Sequence, residues 1–244
     1  MTVVGSKTRA RVKATHQGWT DARATRVVIA IFGILAGLAA IEHGIGEIRQ
    51  GSRPPANLLI QSWPNTEAFA ILAGEPALTV LSDLFVSGVL TVIIAVALAI
   101  WSVAFVQRRG GGLVLILLSV ALLLVGGGLG PPLLGLILGV AALRMHSVPR
   151  RPSRHFLLLA RAWPWILAVG VAGYLALLPG AVLLYYFAGV ANVTLVYTLM
   201  IISFAALILS LVAARAADQK MGQGPQGGDG RVHHDRFGLQ APSG

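Results

Sequence analysis

No cysteine occurs anywhere in the 244 residues of this chain. Disulfides, thiolate nucleophiles and Cys-ligated metals are thereby excluded, while nothing follows about compartment. Charge is nearly as scarce: 11% of residues are Asp, Glu, Lys or Arg, against about 25% in ordinary globular proteins. Lysine is confined to Lys7, Lys13 and Lys220, leaving arginine as almost the whole basic complement. That bias is of the kind GC-rich prokaryotic genomes leave. The acids number only 9. Among them no Ser/His/Asp triad, no pair of catalytic carboxylates and no cofactor fingerprint is legible, so no cofactor is expected.

What fills the chain is apolar: 56% of residues are hydrophobic and the mean hydropathy is +0.77. So little charge cannot cover the surface of a soluble domain, and the implied solvent is a lipid bilayer. The 29 glycines suit helices that approach backbone to backbone in lipid. A net charge of +10 suits nucleic acid in a soluble protein. Here the basic residues flank apolar runs, so anionic lipid headgroups are the expected partners and nucleic acid is not.

The apolar runs predict an all-α fold, a polytopic integral membrane helical bundle of about six transmembrane helices over residues 26–46, 84–106, 112–128, 131–144, 162–188 and 194–214. The gaps between them read basic, acidic, basic, uncharged, basic, uncharged, basic. Arginine is retained on the cytoplasmic side of a membrane. Arg108 and Arg109, the cluster Arg144, Arg150, Arg151, Arg154 and Arg161, and Arg215 therefore mark one side. Both termini are expected in the cytoplasm, with the chain in a cell membrane, a prokaryotic inner membrane. A cleaved signal peptide is the competing reading of the first run. The basic leader over 1–24 is too long for it, and the apolar pattern continues to Ile45 and Ile48.

The fourth run is short. Its 14 or so residues reach about 21 Å as a helix, against a hydrocarbon core of roughly 30 Å. One long helix through 126–132 would put a basic cluster on each side of the membrane, so a hairpin is expected there. It either crosses fully or, in a bundle of four spans, forms a re-entrant loop. The fifth run is interrupted by Pro179-Gly180, where a kink is expected, and Trp163, Trp165, Tyr185 and Tyr186 mark its ends. Residues 47–83 form the one long extracytoplasmic loop, with a short amphipathic helix over 65–73 capped by Asn65 and Thr66 and ended by Gly74. The tail over 216–244 has the composition of disorder.

Ionisable groups within a span are costly and point to function. The first run ends Glu42-His43-Gly44-Ile45-Gly46-Glu47. At about 100° per residue, Gly33, Gly37, Ala40 and Gly44 form one small-residue stripe suited to close helix approach. His43 and Glu47 flank it and are expected to face the interior, with Glu42 pointing nearly the opposite way. Such a set suits a satisfied hydrogen-bond cluster near the outer headgroups, or an ion- or substrate-binding site of Glu42, His43, Glu47 and Asp83. With a single histidine, no metal site is complete unless Glu75 or Asp83 folds in. The break at Gly126, Gly127, Gly128, Gly130, Pro131 and Pro132 is the second candidate, either a plain hairpin turn or exposed backbone beside a cavity. It lacks the Lys and Ser/Thr of a phosphate loop. His233-His234-Asp235 reads as an unstructured tract, and Arg150, Arg151, Arg154 and His155 as a headgroup-facing stretch.

The expected function is that of a non-catalytic structural or accessory membrane protein, binding lipid, a partner membrane protein or further copies of itself in a homo-oligomer. The alternatives are a small transporter or channel-like protein and, third, a lipid-acting membrane enzyme.

Overall fold

Long runs of Leu, Ala, Val and Ile favour helix, and glycine, proline or arginine marks several of the ends: α4 opens at Gly111, α5 opens at Gly130 with Pro131 behind it, and α1 closes at Arg49. The computed structural model describes residues 23–145, 154–177, 179–189 and 192–221. In order these form α1 (Arg23–Arg49), β1 (Leu59–Gln61), α2 (Glu67–Ala70), β2 (Pro76–Leu78), α3 (Leu84–Ala104), α4 (Gly111–Leu124), α5 (Gly130–Arg144), α6 (Arg154–Leu177), α7 (Pro179–Ala188) and α8 (Val193–Met221). The protein is mostly helical, and four stretches are long and apolar enough to cross a membrane: Arg23–Arg49, Leu84–Ala104, Leu158–Leu177 and Thr194–Met221.

Helix α1 is the hub, packed against α3, α5 and α8, while α6 pairs with α8 and α4 with α5. The stripe of small residues on α1 meets α3. A Cβ on Gly44 would stand 2.8 Å from the Gly88 carbonyl oxygen, and one on Gly37 would stand 3.0 Å from that of Ala95. Side chains have no room in this seam, so the two backbones touch. On its other sides α1 buries Val28, Ile29 and Phe32 in a cluster with Leu98, Leu134, Leu138 and Leu207.

The α4–α5 pair is a tight antiparallel hairpin. Gly112 lies against the Gly139 carbonyl, and Ser119 lies against Gly135. Its tip is fastened to the start of α3, where the carbonyl of Val125 accepts from Ser87 Oγ at 2.6 Å and from Thr91 Oγ1 at 2.7 Å. The α4 arm runs back along α3, and at its far end Trp101 Nε1–H donates to the Gly111 carbonyl at 3.0 Å.

The run over 162–188 is helical as α6 up to Leu177 and as α7 from Pro179. The Tyr185 hydroxyl of α7 donates to Glu67 Oε2 in the 47–83 loop at 2.7 Å. Two expectations need correction. The helix expected over 65–73 is one turn, Glu67–Ala70; Thr66 makes no side-chain cap, and Asn65 and Ala73 both have positive φ. The remainder of the loop holds a small antiparallel ladder pairing Ile60 with Ala77. Finally, the helix expected to stop at Arg215 continues to Met221. His233-His234-Asp235, Arg150 and Arg151 lie outside the described residues.

Candidate functional site

The C-terminal end of α1 carries Glu42, His43 and Glu47 into the place where the loop and the hairpin tip converge. His43 is 5% exposed, Glu47 0% and Glu75 4%. His43 Nδ1 stands 3.0 Å from the carbonyl oxygen of Ala39, one turn back on the helix. A carbonyl only accepts, so Nδ1 is the protonated nitrogen and Nε2 is left to face outward from the ring. Nε2 is 3.1 Å from Glu75 Oε2, and Nδ1 is 3.3 Å from Glu42 Oε2.

Glu75 comes from the loop, 32 residues beyond His43 in sequence, and the loop must bend sharply to present it. Ala73, Gly74 and Glu75 have φ of 54°, 69° and 55°, a left-handed run that a non-glycine residue adopts at a cost on the order of 1–3 kcal/mol. The backbone there is held by Ser62 N–H donating to the Glu75 carbonyl and Trp63 N–H donating to that of Gly74, both at 3.0 Å. Behind it, the Ser62 carbonyl lies directly on Gly46 of α1, where any side chain would collide. Burial pushes the Glu75 carboxyl up to about 8, with the adjoining Glu42 carboxyl adding to the rise and His43 opposing it.

The glycine break closes the site from the third side. Gly126 and Gly128 have φ of 105° and 75°, open to glycine and strained for other residues. A Cβ on Gly126 would collide with the Glu47 carboxylate, and one on Gly128 with the imidazole of His43. The two candidate segments of the sequence are thus one place in the structure. Gly127 packs on Leu122, while Gly130, Pro131 and Pro132 open α5 and take no part in the contact.

Two expectations about these residues fail. Glu42 does not point away; its side chain is 31% exposed, but its carboxylate turns back to His43. Asp83 does not join the group. It is an exposed N-cap for α3, accepting from Val86 N–H at 2.9 Å and from the Ser52 hydroxyl. Nor is the cluster the satisfied hydrogen-bond network expected. Both carboxylate oxygens of Glu47, both of Glu42, and Oε2 of Glu75 are buried, and none accepts a hydrogen bond within the described residues. Ser62 Oγ and Trp63 Nε1 nearby are likewise without partners. Buried carboxylates without donors are costly unless neutralised by a proton or a cation. Ser62 and Trp63 are the residues that sequence reasoning left out of the site, and Glu75 was named there only as an alternative to Asp83; its local signal is Gly74-Glu75-Pro76, an acid enclosed by turn formers.

No protein-family model, curated protein or solved structure matches the chain.

Proposed function

We propose that this is a non-catalytic accessory protein of the cell membrane, with its termini in the cytoplasm, six crossings that include the α4–α5 hairpin, and a working face formed by the outer loop and the site beneath it. One observation carries this reading. The hydroxyls inside the bundle are bound to backbone carbonyls: Ser87 and Thr91 to Val125, Ser102 to Ala99, Ser119 to Leu115, Ser203 to Leu199 and Ser210 to Leu207. Ionisable groups sit at the two ends of α1, and the glycine seam between them is closed by direct backbone contact. A conducting pathway needs polar groups or water through the middle section, and a lipid-acting enzyme needs a nucleophile or a histidine-rich metal set at the site. Neither requirement is met by these residues, whereas a rigid bundle that presents an outer surface meets none of these obstacles.

The test pairs two measurements. Vesicles reconstituted with the protein should be no more permeable to protons, alkali cations or divalent cations than protein-free vesicles. A photo-crosslinker placed at Leu59 or Val80, exposed apolar residues of the loop, should give one discrete adduct in native membranes. A second reading, transport, is favoured by the unpartnered acids at the outer end. A cation flux removed by Glu75→Gln would replace the accessory reading with that one.

A further inference from the structure

The geometry points to Glu42, His43 and Glu75 as the protein ligands of a divalent first-row transition cation of the zinc class. This assignment goes beyond the accessory reading and does not depend on whether the bundle conducts.

Three observations converge on it. First, one ligand atom from each residue lies within 4.8 Å of the others, and the ligating nitrogen Nε2 is 3.1 Å from Glu75 Oε2, with Glu42 left to close in from farther away. Ligands about 2.0–2.1 Å from a zinc-like ion stand roughly 3 to 3.4 Å from one another, so the His43–Glu75 pair is already at coordination spacing. Second, the histidine is held in the ligating tautomer. With Nδ1–H directed at the Ala39 carbonyl, Nε2 presents its lone pair to Glu75 Oε2. A backbone acceptor on the second ring nitrogen is the usual support of a metal-bound histidine. At 3.1 Å these two atoms need a proton or a cation between or beside them.

Third, the acids are in excess of what one imidazole neutralises. Glu75 is 4% exposed and its Oε2 accepts no hydrogen bond; both oxygens of Glu42 are in the same condition. The ion pairs at this cluster run through His43. The nearest arginine in sequence, Arg49, is exposed and stacked over Trp63 at 5.5 Å. The cluster is neutral either as imidazolium with one carboxyl protonated or as a divalent ion with neutral imidazole and both carboxylates ionised, and the second form uses the buried oxygens of Glu42 and Glu75 as ligands. A nitrogen ligand disfavours magnesium and calcium, which take oxygen, and selects the borderline cations. Glu47, under Gly126, stays outside the triad.

The experiment uses the full-length protein, tag removed, stripped with a chelator, in a background carrying His233→Ala and His234→Ala. Zn²⁺ and Co²⁺ titrations at neutral pH should show one saturable site. X-ray absorption of the zinc-loaded protein should show nitrogen and oxygen ligands with one imidazole. Affinity should fall at least tenfold, roughly the effect known for losing even a supporting group, in His43→Ala and in Glu75→Gln, and should be unchanged in Asp83→Asn. The absorption measurement needs no variant at the site, so it stands even where His43→Ala fails to fold. Absence of saturable binding, two imidazoles per zinc, or undiminished affinity in both variants would each overturn the assignment; the first would leave protons as the neutralising charge.

Discussion

The carboxylate of Asp218 accepts the backbone N–H of Ala24 at 2.8 Å, across 194 residues of sequence. Its other oxygen takes the N–H of Thr25 at 3.0 Å. The last helix thereby satisfies amides in the first described turn of α1, a capping duty that a residue within the same helix normally performs. It also holds the start of α1 and the end of α8 at one end of the bundle.

Replacing Asp218 with alanine leaves two buried amides without an acceptor. The expected cost is about 1–3 kcal/mol, read as a lower midpoint for thermal unfolding in detergent. Asp218→Asn, which keeps one acceptor, should lose less. Equal midpoints for the native protein and Asp218→Ala would show that this contact does not tie the bundle together.

Gly126 and Gly128 are constrained twice, by φ of 105° and 75° and by the side chains they touch. Alanine at either position should destabilise by about 1–2 kcal/mol through the left-handed backbone alone, with a further loss as Glu47 or His43 is displaced. Gly130, which faces open space, serves as the control, and Gly130→Ala should be neutral within error. Thermal midpoints of the three variants decide the matter. A similar loss in all three would mean general intolerance of the hairpin turn and no specific packing on the site.

Asp83 sets the acid limb. The Ser52 hydroxyl, then the Val86 amide, hold its carboxyl below the ordinary carboxylate range. The folded state releases this proton more readily than the unfolded chain, so the contribution to stability is complete above pH ~4 and disappears as pH falls through the lower folded value. Asp83 is exposed, so the effect is small. Asp83→Asn should flatten the stability profile below pH ~4 and leave it unchanged at neutrality. An identical acid limb in the variant would show that the cap does not titrate with folding.

The absence of native cysteine makes the route through the membrane directly measurable. Leu129, in the hairpin turn, is 39% exposed. A cysteine placed there should react with a membrane-impermeant maleimide from the outside only, and one at residue 230 from the inside only. Labelling of both from the same side would contradict the three crossings expected between the hairpin tip and the tail.

Reading the site from sequence succeeded on one helix and failed between elements. The spacing of His43 and Glu47 beside the glycine stripe placed both indoors, because a helix converts residue number into angle. Glu42 was placed wrongly by the same rule: rotation locates a Cβ, whereas a glutamate has enough length to turn back toward a neighbour. Glu75 and Asp83 were equally eligible as recruits from the loop. Three consecutive positive φ values and the β1–β2 ladder choose Glu75, and none of these is written in local propensity. The interruption at Pro179-Gly180 was visible, but not that Tyr185 of α7 docks on Glu67.

Composition and the order of apolar and arginine-rich segments determined by themselves that this chain is helical, that it carries spans long enough for a bilayer, and which segments bear ionisable groups. These are additive, local quantities, set by transfer of side chains and backbone between water and hydrocarbon. Only the tertiary structure decided that the acid–histidine end of α1, the strained loop at Glu75 and the glycine turn at Gly126 and Gly128 form one buried centre. That convergence depends on glycine-close packing and on closure of a long loop, and both arise from shape complementarity between segments far apart in the chain.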